Sequence, residues 1–226
     1  MIKKEAVKIT GRQGKGKKKQ KKKESLVGVK YNINANIRTA DEVADNLVYP
    51  EKKETENEKK HEKAQNIRYI TSIAKPKKEV MEEIYDEIKN ENFISKPLLC
   101  LMDGSLYLWD QLKTVFKDIS NKVCILDIIH VSEYIWLTAH IMYKEGSDDA
   151  KKYVYKKLKL ILEGKVASYI MELQAEMQRS KWKKKSHQEK FKKVITYLKN
   201  HKQYMKYDEY LSKGYPIGNR SCGICL

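Results

Sequence analysis

The chain has 226 residues, of which 41% are hydrophobic, a proportion that suits a folded domain with its own core. It carries 47 lysine and arginine residues against 30 aspartate and glutamate residues, a formal net charge of +17, and a protein this basic usually binds a polyanion such as nucleic acid. No apolar run of about eighteen residues is present, and the start Met1-Ile2-Lys3-Lys4-Glu5 lacks the apolar segment of a secretion signal, so we expect a cytoplasmic protein with no membrane partner.

Residues 1–24 are predicted to form a flexible basic arm, because glycines and a lysine run can bury nothing. The glycines do not follow the Gly-x4-Gly-Lys-Ser/Thr order and no strand precedes them, which excludes a nucleotide-binding loop. AT-rich coding would favour lysine over arginine but would not create an excess of basic over acidic residues. We therefore take the arm as a candidate DNA contact through Lys15, Lys17, Lys18, Lys19, Lys21, Lys22 and Lys23.

Residues 25–145 are predicted to form an α/β unit. Stretches near 25–33 and 67–74 alternate apolar and polar residues, the period of a half-buried strand. The apolar runs 97–103 and 122–127 each end in an aspartate and suit central strands, with helices after them. Alternating strands and helices predict one sheet of these four segments with helices on its faces.

Residues 146–212 are predicted to be an all-helical insertion, and residues 213–226 a tail. Ser186 and Glu189 have the spacing of a capping box at a helix start. The preceding segment is a second candidate DNA contact, formed by Lys181, Trp182, Lys183, Lys184 and Lys185. Trp182 could stack on a nucleobase or serve as a partly buried anchor, and the sequence does not separate these.

Asp103 and Asp127 are the candidate catalytic residues, with Asp127 the weaker of the two. Ligand sites in α/β sheets lie at the carboxyl ends of strands, and carboxylate oxygens placed there can hold Mg²⁺ for phosphodiester chemistry. The alternative interpretation is that each aspartate caps the next helix or turn. His130 and Glu133, one helical turn apart, could join Asp127, although a structural histidine at the helix start is the simpler interpretation.

The four cysteines fall into two kinds. Cys100 and Cys124 lie inside apolar runs and are predicted to be buried strand residues. Cys222 and Cys225 form a single Cys-x-x-Cys at the end of the chain, and neither a second pair nor a nearby histidine pair completes a zinc site.

Several motifs, taken in order, resemble a bacterial insertion-sequence transposase group, the Kra type of the DDE transposases, which is distantly similar to Mutator-like elements. The segments that carry the resemblance are Lys22-Lys23-Glu24 with Val27-Gly28-Val29 and Tyr31, Leu98–Trp109 with Asp103-Gly104, Ile125–Val131 with Tyr134 and Trp136, and Gly214-Tyr215-Pro216-Ile217-Gly218. The resemblance covers nearly the whole chain, from Met1 to Gly218, and the order and spacing of the motifs are more specific than any one of them.

The resemblance implies a ribonuclease H-like fold with a helical insertion and Mg²⁺-dependent cutting and joining of DNA at transposon ends. In that family three carboxylates do the chemistry. The first lies in a motif like Asp-Gly-Lys-Gly-Val-Pro-Met, the second corresponds to Asp103, and the third is a glutamate in Gly-Tyr-Pro-Ile-Gly-x-Gly-Val-Val-Glu. Transposon ends, target DNA and a second copy of the chain are the partners expected from this resemblance.

The sequence departs from the family at both ends. Met1 aligns with the last residue of the first motif. After Gly218 the residues differ from the third motif, and for one choice of synonymous codons a shift of the reading frame by one base would restore that motif with its glutamate. We therefore expect an incomplete ribonuclease H-like mixed sheet and a catalytically inactive transposase fragment in which Mg²⁺ is not productively bound. The alternatives are a regulatory DNA-binding protein derived from a transposase and an unrelated basic RNA-associated protein.

Overall fold

The computed structural model describes residues 25–50, 64–91, 96–179, 182 and 184–218. The basic arm 1–24, with all seven of its candidate lysines, lies outside the described residues. So do Lys181, Lys183 and the tail beyond residue 218, with Cys222 and Cys225.

The described chain is a mixed α/β fold, as the sequence predicts. Its elements in chain order are β1 (Leu26–Asn32), α1 (Ala40–Val48), β2 (Gln65–Ser72), α2 (Lys77–Ile88), β3 (Leu98–Met102), α3 (Leu106–Val115), β4 (Lys122–Leu126), α4 (Ile128–Met142), α5 (Asp148–Leu162), α6 (Val166–Met177), α7 (Lys185–His201), a 3₁₀ turn (Lys202–Tyr204) and α8 (Tyr207–Ser212). Among the helices of the described ranges, none combines the length and apolarity needed to cross a membrane.

The four strands form two sheets instead of the single predicted sheet. β1 pairs with β2 antiparallel, and β3 pairs with β4 in parallel. Within the described residues no strand pairing joins the two pairs. The expectation of one sheet was therefore wrong, because apolar periodicity predicts that a segment is a strand but says nothing about which distant segment lies beside it.

The alternation in β1 predicts that the face carrying Val27 and Val29 is buried, but the β1–β2 pair buries the opposite face. α2 packs against the face that carries Gly28, and a Cβ on Gly28 would lie 2.2 Å from Cδ1 of Ile84. A side chain at position 28 would therefore displace the Ile84 side chain of α2. The other face leaves large hydrophobic residues accessible: Val27 50%, Val29 42%, Ile67 39% and Tyr69 47%.

The outer edge of β4 is closed by tyrosine side chains from α8. Tyr207 donates its hydroxyl hydrogen to the carbonyl oxygen of Leu126 at 2.8 Å, and Tyr210 donates to that of Cys124 at 3.2 Å. Alternate backbone acceptors along one strand edge thus receive side-chain donors where another strand would otherwise pair.

The helices after residue 146 share one core with the α/β part. Val154, Leu158 and Ile161 of α5 are fully buried, as their spacing predicts, and they belong to the same hydrophobic cluster as Ile125 of β4. The predicted capping box at Ser186 and Glu189 is wrong. α7 begins at Lys185 and has no side-chain cap.

The start of α7 is set by a different contact from the predicted capping box. The side-chain amide of Gln188 donates to the carbonyl oxygens of Met177 and Trp182, at 2.8 and 2.9 Å. These bonds tie the first turn of α7 to the end of α6 and to Trp182. Sequence spacing alone does not contain this tertiary contact.

The segment from Gly214 to Gly218 joins distant parts of the chain. Gly214 accepts a hydrogen bond from the backbone N–H of Asn36 at 2.9 Å, and Arg38 donates to the carbonyl oxygen of Tyr215 at 2.7 Å. The backbone N–H of Ile128, at the start of α4, donates to the carbonyl oxygen of Ile217 at 2.8 Å. This segment therefore fixes the loop before α1 and the end of β4 at once.

Candidate functional site

Asp103 and Asp127 lie side by side at the carboxyl edge of the β3–β4 pair. The strands are in register, with Met102 opposite Leu126, and each aspartate is the next residue. The backbone N–H of Asp127 donates to the carbonyl oxygen of Met102 at 2.8 Å, which extends the ladder by one bond. The predicted neighbourhood of the two carboxylates at one sheet edge is therefore present.

The two carboxylates have different surroundings. Asp127 is 4% exposed, and its Oδ1 accepts a hydrogen bond from the backbone N–H of Ile129 at 2.8 Å as the N-cap of α4. Asp103 is exposed, and its Oδ1 accepts from the backbone N–H of Ser105 at 3.0 Å. Both aspartates thus have the capping role that was the alternative to chemistry, Asp127 at the start of α4 and Asp103 in the turn before α3. They differ in exposure, since only Asp103 is open to solvent.

Aromatic side chains from α4 and α7 form a wall next to Asp103. The rings of Tyr134 and Tyr197 stack with centroids 3.7 Å apart and planes 10° apart. The hydroxyl of Tyr197 donates to the backbone oxygen of Asp103 at 3.4 Å, and Nε2 of His201 lies 2.7 Å from the backbone oxygen of Gly104. α7 is therefore attached directly to the turn that carries Asp103.

The turn itself requires glycine at position 104. Gly104 has φ +91°, and a Cβ there would lie 2.8 Å from the hydroxyl oxygen of Tyr197. Burial is the main reason that the pKa of Tyr197 is raised above its usual range, and the negative charges of Asp103, Asp127 and Glu133 raise it further. Tyr197 is thus a neutral hydrogen-bond donor in a locally acidic environment.

His130 and Glu133 form a pair of their own in the first turn of α4. Nδ1 of His130 lies 3.3 Å from Oε2 of Glu133, and both side chains are well exposed. Across the described ranges, no group of three histidine, cysteine, aspartate or glutamate side chains converges as a metal site would require. His130 and Glu133 therefore do not complete a ligand set with Asp127.

Trp182 lies in the core, which favours the buried anchor of its two interpretations over the nucleobase stack. Its side chain is 9% exposed, its Nε1 donates to Glu176 at 2.7 Å, and its ring contacts His187 and Phe191. A ring enclosed on this scale has no free face for a nucleobase. Its neighbours Lys184 and Lys185 are exposed.

Exposed lysines of α7 lie near the aromatic wall beside Asp103, and they were not among the residues predicted from the sequence. The ammonium group of Lys193 lies 5.7 Å from the centroid of the Tyr134 ring, on the outside of the aromatic wall. Lys190 is exposed nearly one turn earlier, and Tyr197 follows Lys193 by four residues. The spacing from Lys190 to Lys193 to Tyr197 places all three on one helix face, a signal that was readable in the sequence.

The segment ending at Gly218 runs past Asp127. A Cβ on Gly218 would lie 2.9 Å from Cγ2 of Ile128 and 3.3 Å from Oδ1 of Asp127. The described chain therefore ends against the helix cap at this edge of the sheet.

Comparison with protein-family models, curated proteins and solved structures found no match to this chain.

Proposed function

We propose that the chain is part of a DDE transposase of the Kra type that binds DNA and does not cut it. The observation that carries this proposal is the in-register parallel pairing of β3 and β4, with an exposed Asp103 beside Asp127 at the carboxyl edge. The motifs that resemble the family place Asp103 and Asp127 after two successive strands, although Asp127 does not correspond to one of the family's three carboxylates. The segment Gly214–Gly218, which resembles the lead into the family's third carboxylate, runs to the same edge.

The proposed fold is a ribonuclease H-like sheet that is divided in two. α2 connects β2 to β3, packs on the β1–β2 pair and contacts α3. One further strand between the two pairs would unite them, and the resemblance expects a strand of this kind, bearing the first carboxylate, ahead of β1. Tyr207 and Tyr210 close the outer edge of β4. A further strand would therefore pair with the outer edge of β3, which these tyrosines do not contact.

The described residues do not fit a two-ion Mg²⁺ site of the family type. Such a site needs several carboxylates that face the ions from different sides. Asp103 offers one exposed carboxylate, an oxygen of Asp127 caps α4, and no cluster of three suitable side chains exists in the part of the chain that the structure describes. We therefore assign no step to Mg²⁺ in this chain.

The proposed partner is double-stranded DNA, bound through its phosphates. The formal charge of +17 supplies a general attraction. Lys190 and Lys193 of α7 are exposed beside the aromatic wall, and Lys184 and Lys185 lie at the start of the same helix. With the arm lysines 15–23 they would form a binding surface that contacts phosphates and carries little sequence preference.

The DNA proposal is tested by the salt dependence of binding. We expect the logarithm of the association constant for a fluorescent duplex to fall linearly with the logarithm of salt concentration. The slope should be about −0.9 for each phosphate contact. Deletion of residues 15–23 is expected to weaken binding to unrelated duplexes equally. An association constant that does not change with salt would contradict the proposal, and a clear preference for single-stranded RNA in the same assay would favour an RNA-associated protein.

The inactivity proposal is tested by a nicking assay on supercoiled DNA with Mg²⁺ or Mn²⁺. We expect no nicking by the 226-residue chain, because removing one member of a cooperating catalytic set already removes most of the rate. Asp103→Ala is the matched control, and the two preparations should be indistinguishable. Nicking that disappears in Asp103→Ala would mean that residues described here as structural assemble an active site.

A further inference from the structure

Cys100 and Cys124 lie directly opposite each other in the β3–β4 pair. The register places the two Cα atoms as partners, and side chains at paired positions of parallel strands point to the same face of the sheet. Cys100 is 8% exposed, whereas Cys124 is only half-buried. The thiol of Cys124 is therefore more accessible to solvent than that of Cys100.

The two thiols interact, and they differ in acidity. Interaction with the facing thiol of Cys124, together with burial, raises the pKa of the Cys100 thiol well above its usual value. The interaction with Cys100 is likewise the main cause that lowers the pKa of Cys124 to about 7, with help from the positive charges of Lys122 and Lys113. The thiolate needed for nucleophilic attack thus forms on the more exposed cysteine.

The strand spacing allows a bond between the two sulfur atoms. Neighbouring strands lie about 4.8 Å apart, within the Cα–Cα range of about 4.4–6.8 Å found for disulfides. The pairing of β3 with β4 fixes this distance near the short end of the range. A disulfide here would be held in the geometry of the sheet instead of its own optimum, and strained disulfides are the readily reduced ones.

We propose that Cys100 and Cys124 form a reversible thiol–disulfide pair that reacts with low-molecular-weight disulfides, with Cys124 as the attacking and Cys100 as the resolving cysteine. The Cys124 thiolate attacks one sulfur of a disulfide RSSR, the S–S bond breaks, and RS⁻ leaves and takes up a proton. Cys100 then loses its proton and attacks Sγ of Cys124, which expels the second RS⁻. The pair is oxidised by two electrons, and RSSR is reduced to two RSH.

The bond would form close to the candidate site but does not depend on the proposed function. Asp103 follows Cys100 by three residues, and Asp127 follows Cys124 by three residues. A disulfide at this position would link the two strands whose ends carry these carboxylates. Such a link cannot be inferred from the apolar runs, because they do not reveal that the cysteines are partners across the two strands.

The test uses the full chain with Cys222→Ser and Cys225→Ser, so that only the strand cysteines remain. The protein is equilibrated in glutathione buffers of increasing glutathione disulfide content, quenched with acid and analysed by intact mass and by peptide mapping under non-reducing conditions. We expect a mass loss of two hydrogens and a cross-linked peptide pair containing Cys100 and Cys124, both reversed by excess reduced glutathione.

Single substitutions in the same background distinguish the two roles. With Cys100→Ser we expect a stable glutathione adduct on Cys124, because the resolving thiol is missing. With Cys124→Ser we expect Cys100 to react at least tenfold more slowly, because its burial, which the substitution leaves in place, limits access to the thiol and disfavours its thiolate. Far-UV circular dichroism of each variant checks that it is folded. Equal reaction rates of the two folded single variants, or the lack of an internal disulfide in the folded parent at every buffer ratio, would overturn the proposal.

Discussion

Substitution of Gly214 by alanine is expected to lower the free energy of unfolding by about 2–5 kcal/mol, the sum of a left-handed backbone penalty and overpacking. Gly214 has φ +71°, and a Cβ there would lie 2.6 Å from the backbone nitrogen of Asn36 and 3.0 Å from the carbonyl carbon of Ala35. These are backbone atoms, so relief requires movement of the loop before α1. That movement would also break the hydrogen bond from Asn36 to Gly214.

Gly146→Ala is the matched control for this prediction. Gly146 has φ +76°, but no heavy atom lies within 4 Å of the Cβ that it would gain. Alanine there should cost only the backbone penalty, about 1–2 kcal/mol. Urea unfolding followed by circular dichroism measures both variants, and the slope of free energy against urea checks that the unfolded states are comparable. Equal losses of unfolding free energy in the two variants would show that the close contact between residue 214 and the loop before α1 does not contribute to the cost of the substitution.

Replacement of Lys190 and Lys193 by glutamine is expected to weaken DNA binding about 60-fold at 0.1 M salt. This is the effect of losing two phosphate contacts, each of which contributes about 0.9 to the slope of log association constant against log salt concentration. Both residues are exposed on α7, and Lys193 lies over the ring of Tyr134 next to the Asp103 turn. The salt slope itself should fall by about 1.8. Fluorescence anisotropy with a labelled duplex at several salt concentrations measures both quantities.

Lys152→Gln with Lys156→Gln is the control for charge alone. These lysines are exposed one turn apart on α5, a helix that supplies no residue to the candidate site. The change in net charge is the same as in the α7 variant, so a general electrostatic effect would weaken binding equally in both. We expect the α5 variant to retain most of the affinity and the salt slope. Equal losses would mean that DNA has no preferred surface near Asp103.

The sequence was most informative where local pattern and local structure coincide. Each apolar run that ends in an aspartate became a strand, and the aspartates follow β3 and β4 directly. The buried stripe of α5 was also readable from its helical spacing. In these cases one short segment contains all the information that the prediction needs.

The features that depend on distant contacts were not predictable in this way. The alternation of apolar and polar residues correctly predicted that β1 is a strand. It did not predict that α2 covers the face that carries Gly28 and leaves Val27 and Val29 accessible. The contacts of Tyr197 and His201 with the Asp103 turn join residues 94 and 97 positions apart. No periodicity in either segment indicates such a partner, and the burial of Trp182 is a similar case.

The hydrogen bonds from Tyr207 and Tyr210 to β4 have a consequence for how the chain folds. They join residues 81 and 86 positions apart, and the bond from Asn36 to Gly214 closes a loop of nearly the whole described chain. Contacts this remote in sequence require a large loss of loop entropy before they form, which slows folding. During synthesis the β3–β4 pair would emerge with its outer edge exposed and would remain so until α8 followed. A nascent chain stalled before residue 207 should therefore be more prone to associate with other chains than the completed chain.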